Sequence, residues 1–487
     1  MCDGNKNGLL SERNLDKKQR RTTMETTAAK RPFGMKDKIG YAFGDFGNDF
    51  TFMLSSMFMM KFYTDVMGVA PAIVGVLMMV ARFVDAFTDV TMGQIVDRSK
   101  PTKDGKFRPW IKRMCGPVAI ASFLIYQSAF AGASMAVKIG WMFITYILWG
   151  SVVYTSINIP YGSMASAISA DAKDRAQLST WRSIGATLAG LTIGVGTPMF
   201  AYTVVDGQTV LSGSKMTLIA GVFSILAVIC YLLCFNLVEE RLEVPQNNTK
   251  LDIGAMIKSI VTNRALLGII AAAIFLLLGM LGMSGMSPYI FPVYYNSGTA
   301  QSLSSLTSNL AVLIVCAPLA AKLASRFGKK EESVVSCLAG ALVFAVCIIV
   351  RPASAMGFVV FFTLAYIGLG FFNTLVWAMI TDVIDDAEIK NNVREDGTIY
   401  AVYSFARKLG QAASSGMIGA FLTLIGYSDA VAANPTAYAE VMEGIFNLAC
   451  ILPAAGLILV ALALAFIYPL NKKRVDENVA ELARRRG

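Results

Sequence analysis

Runs of about 20 apolar residues recur from near residue 38 to residue 470, each long enough to cross the roughly 30 Å hydrocarbon core of a bilayer as one helix. "FVVFFTLAYIGLGFF" and "IFNLACILPAAGLILVALALAFIY" are two of them. In hydrocarbon every backbone N–H and C=O must be bonded within the protein, so a spanning segment is a helix or part of a closed barrel. The runs lack the ten-residue alternation of barrel strands. The expected fold class is therefore all-α, with about twelve spans near residues 38–64, 70–96, 111–131, 138–168, 176–202, 216–237, 262–294, 298–325, 333–351, 355–384, 397–427 and 441–470. A content of 55% hydrophobic residues in a chain of 487 excludes the two or three soluble domains that the length alone would suggest.

The net charge of +10 is confined to certain loops. Arg98, Lys100, Lys103, Lys106, Arg108, Lys112 and Arg113 lie between the second and third spans, and Lys322, Arg326, Lys329 and Lys330 between the eighth and ninth. The loops of opposite parity hold little more than Lys138, Lys215 and Arg351. The positive-inside rule then places both termini in the cytoplasm, and the expected location is the plasma membrane, as a multi-pass protein. Because the bases alternate with spans and form no single stripe, a nucleic-acid partner is not expected. Residues 1–36 hold no apolar signal core and read as a disordered cytoplasmic tail, with Met24 and Met35 as alternative starts. Eight cysteines without a CxxC pair suggest neither disulfide nor metal cluster, and with no histidine present any ion coupling must rest on carboxylates.

The longest polar interruption, about residues 238–261, divides the spans six and six. Related basic turns recur after the second span ("GQIVDRSKPTKDGKFRPW") and after the eighth ("AKLASRFGKKEES"). A duplicated arrangement around a central loop is expected of transporters whose halves rock about a midplane site. The domains expected are an N-terminal bundle over 37–237, the cytoplasmic loop 238–261, a C-terminal bundle over 262–471 and a basic cytoplasmic tail over 472–487. The glycosylation triplet at Asn247–Thr249 falls in the cytoplasmic loop and reads as chance.

Ionisable side chains at membrane depth cost several kcal/mol unless paired, hydrated or used. Asp85 and Asp89 of "VARFVDAFTDVTMGQIVD" are four residues apart and share one helix face. Two such carboxylates repel, and a sodium ion or proton between them relieves the repulsion, so both are candidate cation ligands. A structural pair of these acids with Arg82 is the bland alternative. In the first span Asp49, with Asn48 beside it, is placed to accept sugar hydroxyls, while Asp45 falls nearer the cytoplasmic edge. Thr155 and Asn158 in the fourth span offer neutral oxygens, and Pro160 frees a backbone carbonyl. Arg182 is the basic group of the fifth span. In the eleventh, Lys408 is favoured over Arg407 as the cavity-lining base, with Ser404 one turn before it. Tyr154, Tyr161, Trp181 and Trp377 offer faces on which a sugar could stack, although most membrane aromatics are packing. The acidic stretch Thr381–Gly397 reads as a gate or a solvated turn at a cytoplasmic span end.

Taken in order, "GYAFGDFGNDF", "YTDVMGV", "ARFVDAFTDVTMGQIVDRS" with "GKFRPW", "NIPYGSM", "QLSTWR" and "DVIDDAEIK" followed by "DGTIYA" resemble the glycoside-pentoside-hexuronide:cation symporter family of the major facilitator superfamily, the melibiose-carrier-like transporters. The likeness covers about residues 36–470. It implies that Asp85 and Asp89 bind the coupling cation with Thr155 and Asn158, that Asp49 and Arg182 grip the sugar, and that Lys408 lies between the two sites. Asn158 stands where the melibiose carrier has an aspartate, and Gly162 where it has a sugar-stacking tryptophan. The cavity is thereby less acidic, which points to an anionic substrate such as a hexuronide or sulfosugar.

The expected function is symport of a sugar or glycoside with sodium or a proton by alternating access, without a cofactor and within the lipid bilayer. Asn48, Asn158, Tyr161, Arg182, Lys408 and Ser404 join Asp49 as expected substrate contacts. The alternatives are a lysolipid or other amphiphile transporter of the same fold and a non-transporting sensor. With no histidine, no HExxH and no paired nucleophile and base, an enzyme is not expected.

Overall fold

The computed structural model of the chain describes residues 31–242, 263–391 and 396–486. Residues 1–30 of the expected tail, and the Asn247–Thr249 triplet, lie outside them. Among the described residues, twelve helices have 18 or more residues: α1 Met35–Asp65, α2 Pro71–Arg98, α3 Arg108–Ile125, α4 Met135–Ile168, α5 Ala172–Ala201, α6 Gly213–Leu237, α7 Arg264–Tyr294, α8 Gly298–Phe327, α9 Lys329–Val350, α10 Ala355–Asn391, α11 Asp396–Leu424 and α12 Ala439–Ile467. The 31 residues of α1 would extend about 46 Å at 1.5 Å per residue, ample for a bilayer crossing. Eight of the twelve, α4 to α10 and α12, are long and apolar enough to cross by composition alone. The other four, α1, α2, α3 and α11, hold most of the charged side chains discussed below.

Helices α1 to α6 pack on one another, as do α7 to α12, and the two groups meet along α2 with α11, α5 with α8, and α1 with α7. The α2–α11 seam is tight because it is lined by glycine. A Cβ on Gly419 would stand 2.4 Å from the Pro71 carbonyl and 2.9 Å from Gly75 Cα, closer than any side chain fits.

Two elements were not among the expected spans, and one of them is not helical. Tyr202–Val205 and Gln208–Leu211 form an antiparallel hairpin between α5 and α6. Its turn residues Asp206 and Gly207 have φ of 49° and 80°, the left-handed pair that a tight hairpin requires. The expected basic tail is a further helix, α13 Lys472–Arg486, lying against α10. It is held there by Asn478 Nδ2, which donates to Asp386 Oδ1 at 3.2 Å, and by Leu482, which is buried. Asp386 also takes Lys390 Nζ at 2.6 Å, and Asp382 takes Lys329 Nζ at 2.6 Å. The acidic stretch after Thr381 is thus largely the last turns of α10, with buried, paired carboxylates instead of a solvated turn.

Hydrogen bonds between the halves concentrate at the end carrying the hairpin. Lys61 Nζ lies 2.5 Å from Asp65 Oδ2 and donates to Tyr427 Oη at 2.8 Å. Tyr427 in turn donates to Asp65 Oδ1 at 2.9 Å, and the ammonium stands 4.7 Å over the Tyr289 ring. Lys61 is 1% exposed, so this pair survives burial only because further partners satisfy both ions. Tyr202 donates to Gln301 Oε1 at 2.8 Å, and Asn296 exchanges bonds of 2.6 and 2.7 Å with the backbones of Thr209 and Gly207.

Candidate functional site

At mid-height α2 presents its two acids toward α4 and α11. Asp85, buried, takes Arg82 Nη1 on Oδ2 at 3.1 Å and Ser151 Oγ on Oδ1 at 2.5 Å. Asp89 accepts Thr155 Oγ1 at 3.0 Å on Oδ1, while Lys408 Nζ is bonded to Oδ2. Lys408 also reaches the Asp85 carbonyl at 3.5 Å. Asp85, Asp89, Thr155 and Lys408 are therefore brought together as the sequence suggested. They are not two bare carboxylates awaiting one ion: Arg82 takes one and Lys408 the other, so the pairing with Arg82 expected as the bland alternative is present.

The local backbone explains how α4 supplies its donors. Leu148–Tyr154 is a π-helical stretch within α4, and such bulges re-aim side chains at functional positions. It turns Ser151 toward Asp85 and sets Thr155 Oγ1 3.2 Å from the Gly150 carbonyl as well as against Asp89. The irregularity ends at Tyr154, well before Pro160, where freed carbonyls were expected.

Asn158 does not join the acids. It accepts Asn48 Nδ2 at 3.3 Å, and Asn48 Oδ1 accepts Tyr231 Oη at 2.9 Å, a neutral chain linking α1, α4 and α6. Arg182 donates to Asp45 Oδ1 at 2.9 Å. Asp45, expected near the cytoplasmic edge, is buried and is the arginine's partner. Asp49, with Asp45 and Arg182 as charged neighbours, makes no hydrogen bond or ion pair among the described residues. Tyr161 is corrected from a sugar-stacking face to a packing residue. It is 1% exposed, stacks on Tyr41 with centroids 4.7 Å apart, and spends its hydroxyl on the Tyr41 carbonyl at 2.6 Å. The ring fits because position 44 is glycine, where a Cβ would stand 2.2 Å from it. Ser404 is exposed and makes no hydrogen bond among the described residues.

A cavity of about 480 Å³ lies between the halves, lined by α1, α5, α7, α8, α10 and α11. Its polar wall includes Thr187, Ser284, Asn309, Asn373, Arg407 and Gln411, and its aromatic wall Phe52, Phe362 and Tyr366. Arg407 is its one charged lining residue among those described. Its guanidinium lies 5.7 Å from the Trp377 ring centroid, with Tyr403 Oη at 3.5 Å. The preference for Lys408 over Arg407 as the cavity-lining base is thus reversed: Lys408 turns into α2, and Arg407 faces the cavity. A helical step explains it, since Arg407 and Gln411 are four apart on one face and Lys408 is about 100° round from them. The neutral polar residues carry no signal that one sequence alone reveals.

Two six-helix bundles enclosing a polar cavity at their interface, with ionisable groups at mid-height, define a polytopic secondary transporter of the major facilitator fold. A model of the family described as MFS/sugar transport protein matches residues 40–472, and the chain belongs to that family. It is 31% identical over 461 residues to a putative sulfoquinovose importer of Salmonella typhimurium, covering 93% of each chain. It is 29% identical to a glucuronide carrier protein homolog of Escherichia coli (92% of this chain, 95% of that one) and 29% to an isoprimeverose transporter of Lactiplantibacillus pentosus (90% and 89%). Among solved structures it resembles a D-xylose-proton symporter (TM-score 0.56, 14% identity, 89% of this chain and 96% of that one) and the nucleoside transporter NupG (0.59, 14%, 90% and 100%), likenesses of fold.

Proposed function

We propose that the protein imports a sugar or glycoside by symport with sodium or a proton, through alternating access, in the plasma membrane with both termini in the cytoplasm. The carrying observation is Asp89, on which Thr155 of one half and Lys408 of the other converge at the seam between the halves. Lys408 stands where a coupling cation would stand. A sodium ion on the Asp89, Asp85, Thr155 and Ser151 oxygens, or a proton on Asp89, displaces the ammonium and releases α11 from α2. Cation and sugar then strengthen each other's binding reciprocally. With the basic loops in the cytoplasm, the clasped hairpin end faces outward.

One guanidinium and no carboxylate among the described lining residues favour a sugar bearing an anionic group, a hexuronide or sulfosugar. Relatives named for glucuronide and sulfoquinovose agree with that reading. The test is uptake of radiolabelled methyl glucuronide, sulfoquinovose and methyl xyloside into energised membrane vesicles, with sodium present or absent and with the proton gradient collapsed. The proposal expects cation-dependent accumulation of at least one anionic sugar. Accumulation of none of the three, or accumulation indifferent to both cations, contradicts it.

The outward clasp yields a further expectation. In Tyr427→Phe the buried Lys61–Asp65 pair loses one hydroxyl that bonds both members, a loss of about 1–3 kcal/mol from the closed end. Cavity residue Ser305, replaced by cysteine in that background, should label several-fold faster with an impermeant maleimide applied from outside. An unchanged labelling rate would show that the clasp does not hold the end shut.

A further inference from the structure

Phe52 of α1 occupies a place that neither the cation site nor the sugar cavity explains alone. One part of its ring lines the 480 Å³ cavity, and it also lines a neighbouring water-sized void bounded by Arg82, Gln411 and Ser415. The Arg82 guanidinium lies 5.1 Å from its ring centroid, within cation–π range, and Arg82 is the ion partner of Asp85. Elsewhere the ring stacks on Tyr154, with centroids 5.9 Å apart and planes at 23°. Tyr154 immediately precedes Thr155, the hydroxyl donor to Asp89. One half-buried aromatic ring thus touches the cavity, the partner of one acid and the chain neighbour of the partner of the other.

We infer that Phe52 is the positioning residue through which sugar in the cavity and cation at Asp85 and Asp89 sense each other. A sugar seated against Phe52 removes water from the ring and fixes its orientation. That stabilises the Arg82 guanidinium in its place on Asp85 and holds Tyr154, and with it Thr155, in register with Asp89. Conversely, a cation that changes the charge on Asp89 shifts Thr155 and Arg82, and both movements reach the ring. An aromatic face supplies what an aliphatic side chain of similar volume does not, because only the π-electron quadrupole attracts the guanidinium. Phe52 makes no polar contact with the acids, so its role is transmission and not ligation.

The inference rests on the symport reading above and is tested so that the two fail separately. In proteoliposomes, the half-saturating concentration of the sugar that wild type accumulates is measured by counterflow, at low and at saturating sodium and at two pH values. Counterflow needs no cation gradient, so it reports recognition and exchange even in an uncoupled carrier. Phe52→Leu, which removes a ring that the sugar touches, is expected to weaken sugar binding in counterflow at every sodium concentration, while the ratio of half-saturating concentrations between low and saturating sodium shrinks by about 5-fold or more. Phe52→Trp and Phe52→Tyr, which keep a ring, are expected to restore most of the shift. A Phe52→Leu carrier with the full wild-type shift overturns the inference and leaves symport standing. Loss of counterflow in Phe52→Leu, Phe52→Trp and Phe52→Tyr alike, with normal protein levels, also overturns it, because the residue is then only packing. Absence of any cation shift in wild type overturns the symport reading itself.

Discussion

Replacing Asp89 with asparagine is expected to bring cation-driven sugar accumulation down to the level reached without a cation gradient, while exchange of sugar across the membrane persists. Asparagine is nearly the same shape and keeps an oxygen for Thr155, so the change is mainly one of charge. It removes the carboxylate that Lys408 holds and that a sodium ion or proton must neutralise. Hydrogen bonds to charged groups are worth about 1.5–3 kcal/mol, so apparent cation affinity should fall by roughly 10-fold or more. Asp89 and Lys408 side chains are 23% and 28% exposed, so water partly compensates the orphaned ammonium and the protein should still fold. Lys408→Gln supplies the opposite sign. If the ammonium competes with the coupling cation for Asp89, its removal tightens cation binding; if the pair is only a structural strut, it does not. The measurement is the sodium and pH dependence of counterflow in wild type, Asp89→Asn, Lys408→Gln and the double variant, where a non-additive result reports the pair directly.

Arg407→Gln is expected to cost an anionic sugar about 10- to 150-fold in transport efficiency, the equivalent of one lost charge-assisted hydrogen bond. A neutral glycoside should lose far less, so the ratio between the two is the informative quantity. Arg407 makes no ion pair among the described residues, so replacing it leaves no buried carboxylate unpaired and a general loss of stability is not expected. Its position over Trp377 orients the guanidinium without neutralising it, which suits a group waiting for an anion. Competition assays with methyl glucuronide against methyl xyloside measure the ratio. Equal losses for both sugars would assign Arg407 to packing and leave the anionic substrate class without support.

The twelve helices were legible because bilayer thickness imposes a length that apolar runs display openly. Asp85, Asp89 and Lys408 were legible for the complementary reason, since a charge inside such a run is costly wherever it lies. What one helix pattern cannot reveal is which base meets which acid across helices. Arg82 is three residues from Asp85 and visible as its partner, but the choice of Lys408 for Asp89 depends on how α11 rotates against α2. The same limit explains Arg182, expected as a sugar contact and found paired with Asp45, and Tyr161, whose fate was set by the gap that Gly44 leaves. The hairpin carried a readable signal, "TVVDGQTV", with Asp-Gly flanked by β-branched residues; the strength of the helical pattern around it masked that signal. The π-helical stretch in α4 had none, because nothing in "LWGSVVY" marks a change of hydrogen-bond register.

The most direct test of the coupling at Asp89 runs the cycle by its other substrate. Purified protein is placed in liposomes with no initial cation gradient, a gradient of the accepted sugar is imposed, and sodium entry is followed by radiotracer and proton entry by an internal pH dye. The account predicts that sugar flowing in carries sodium or protons with it, in wild type and not in Asp89→Asn. Sugar that equilibrates in wild type without moving either cation would contradict it.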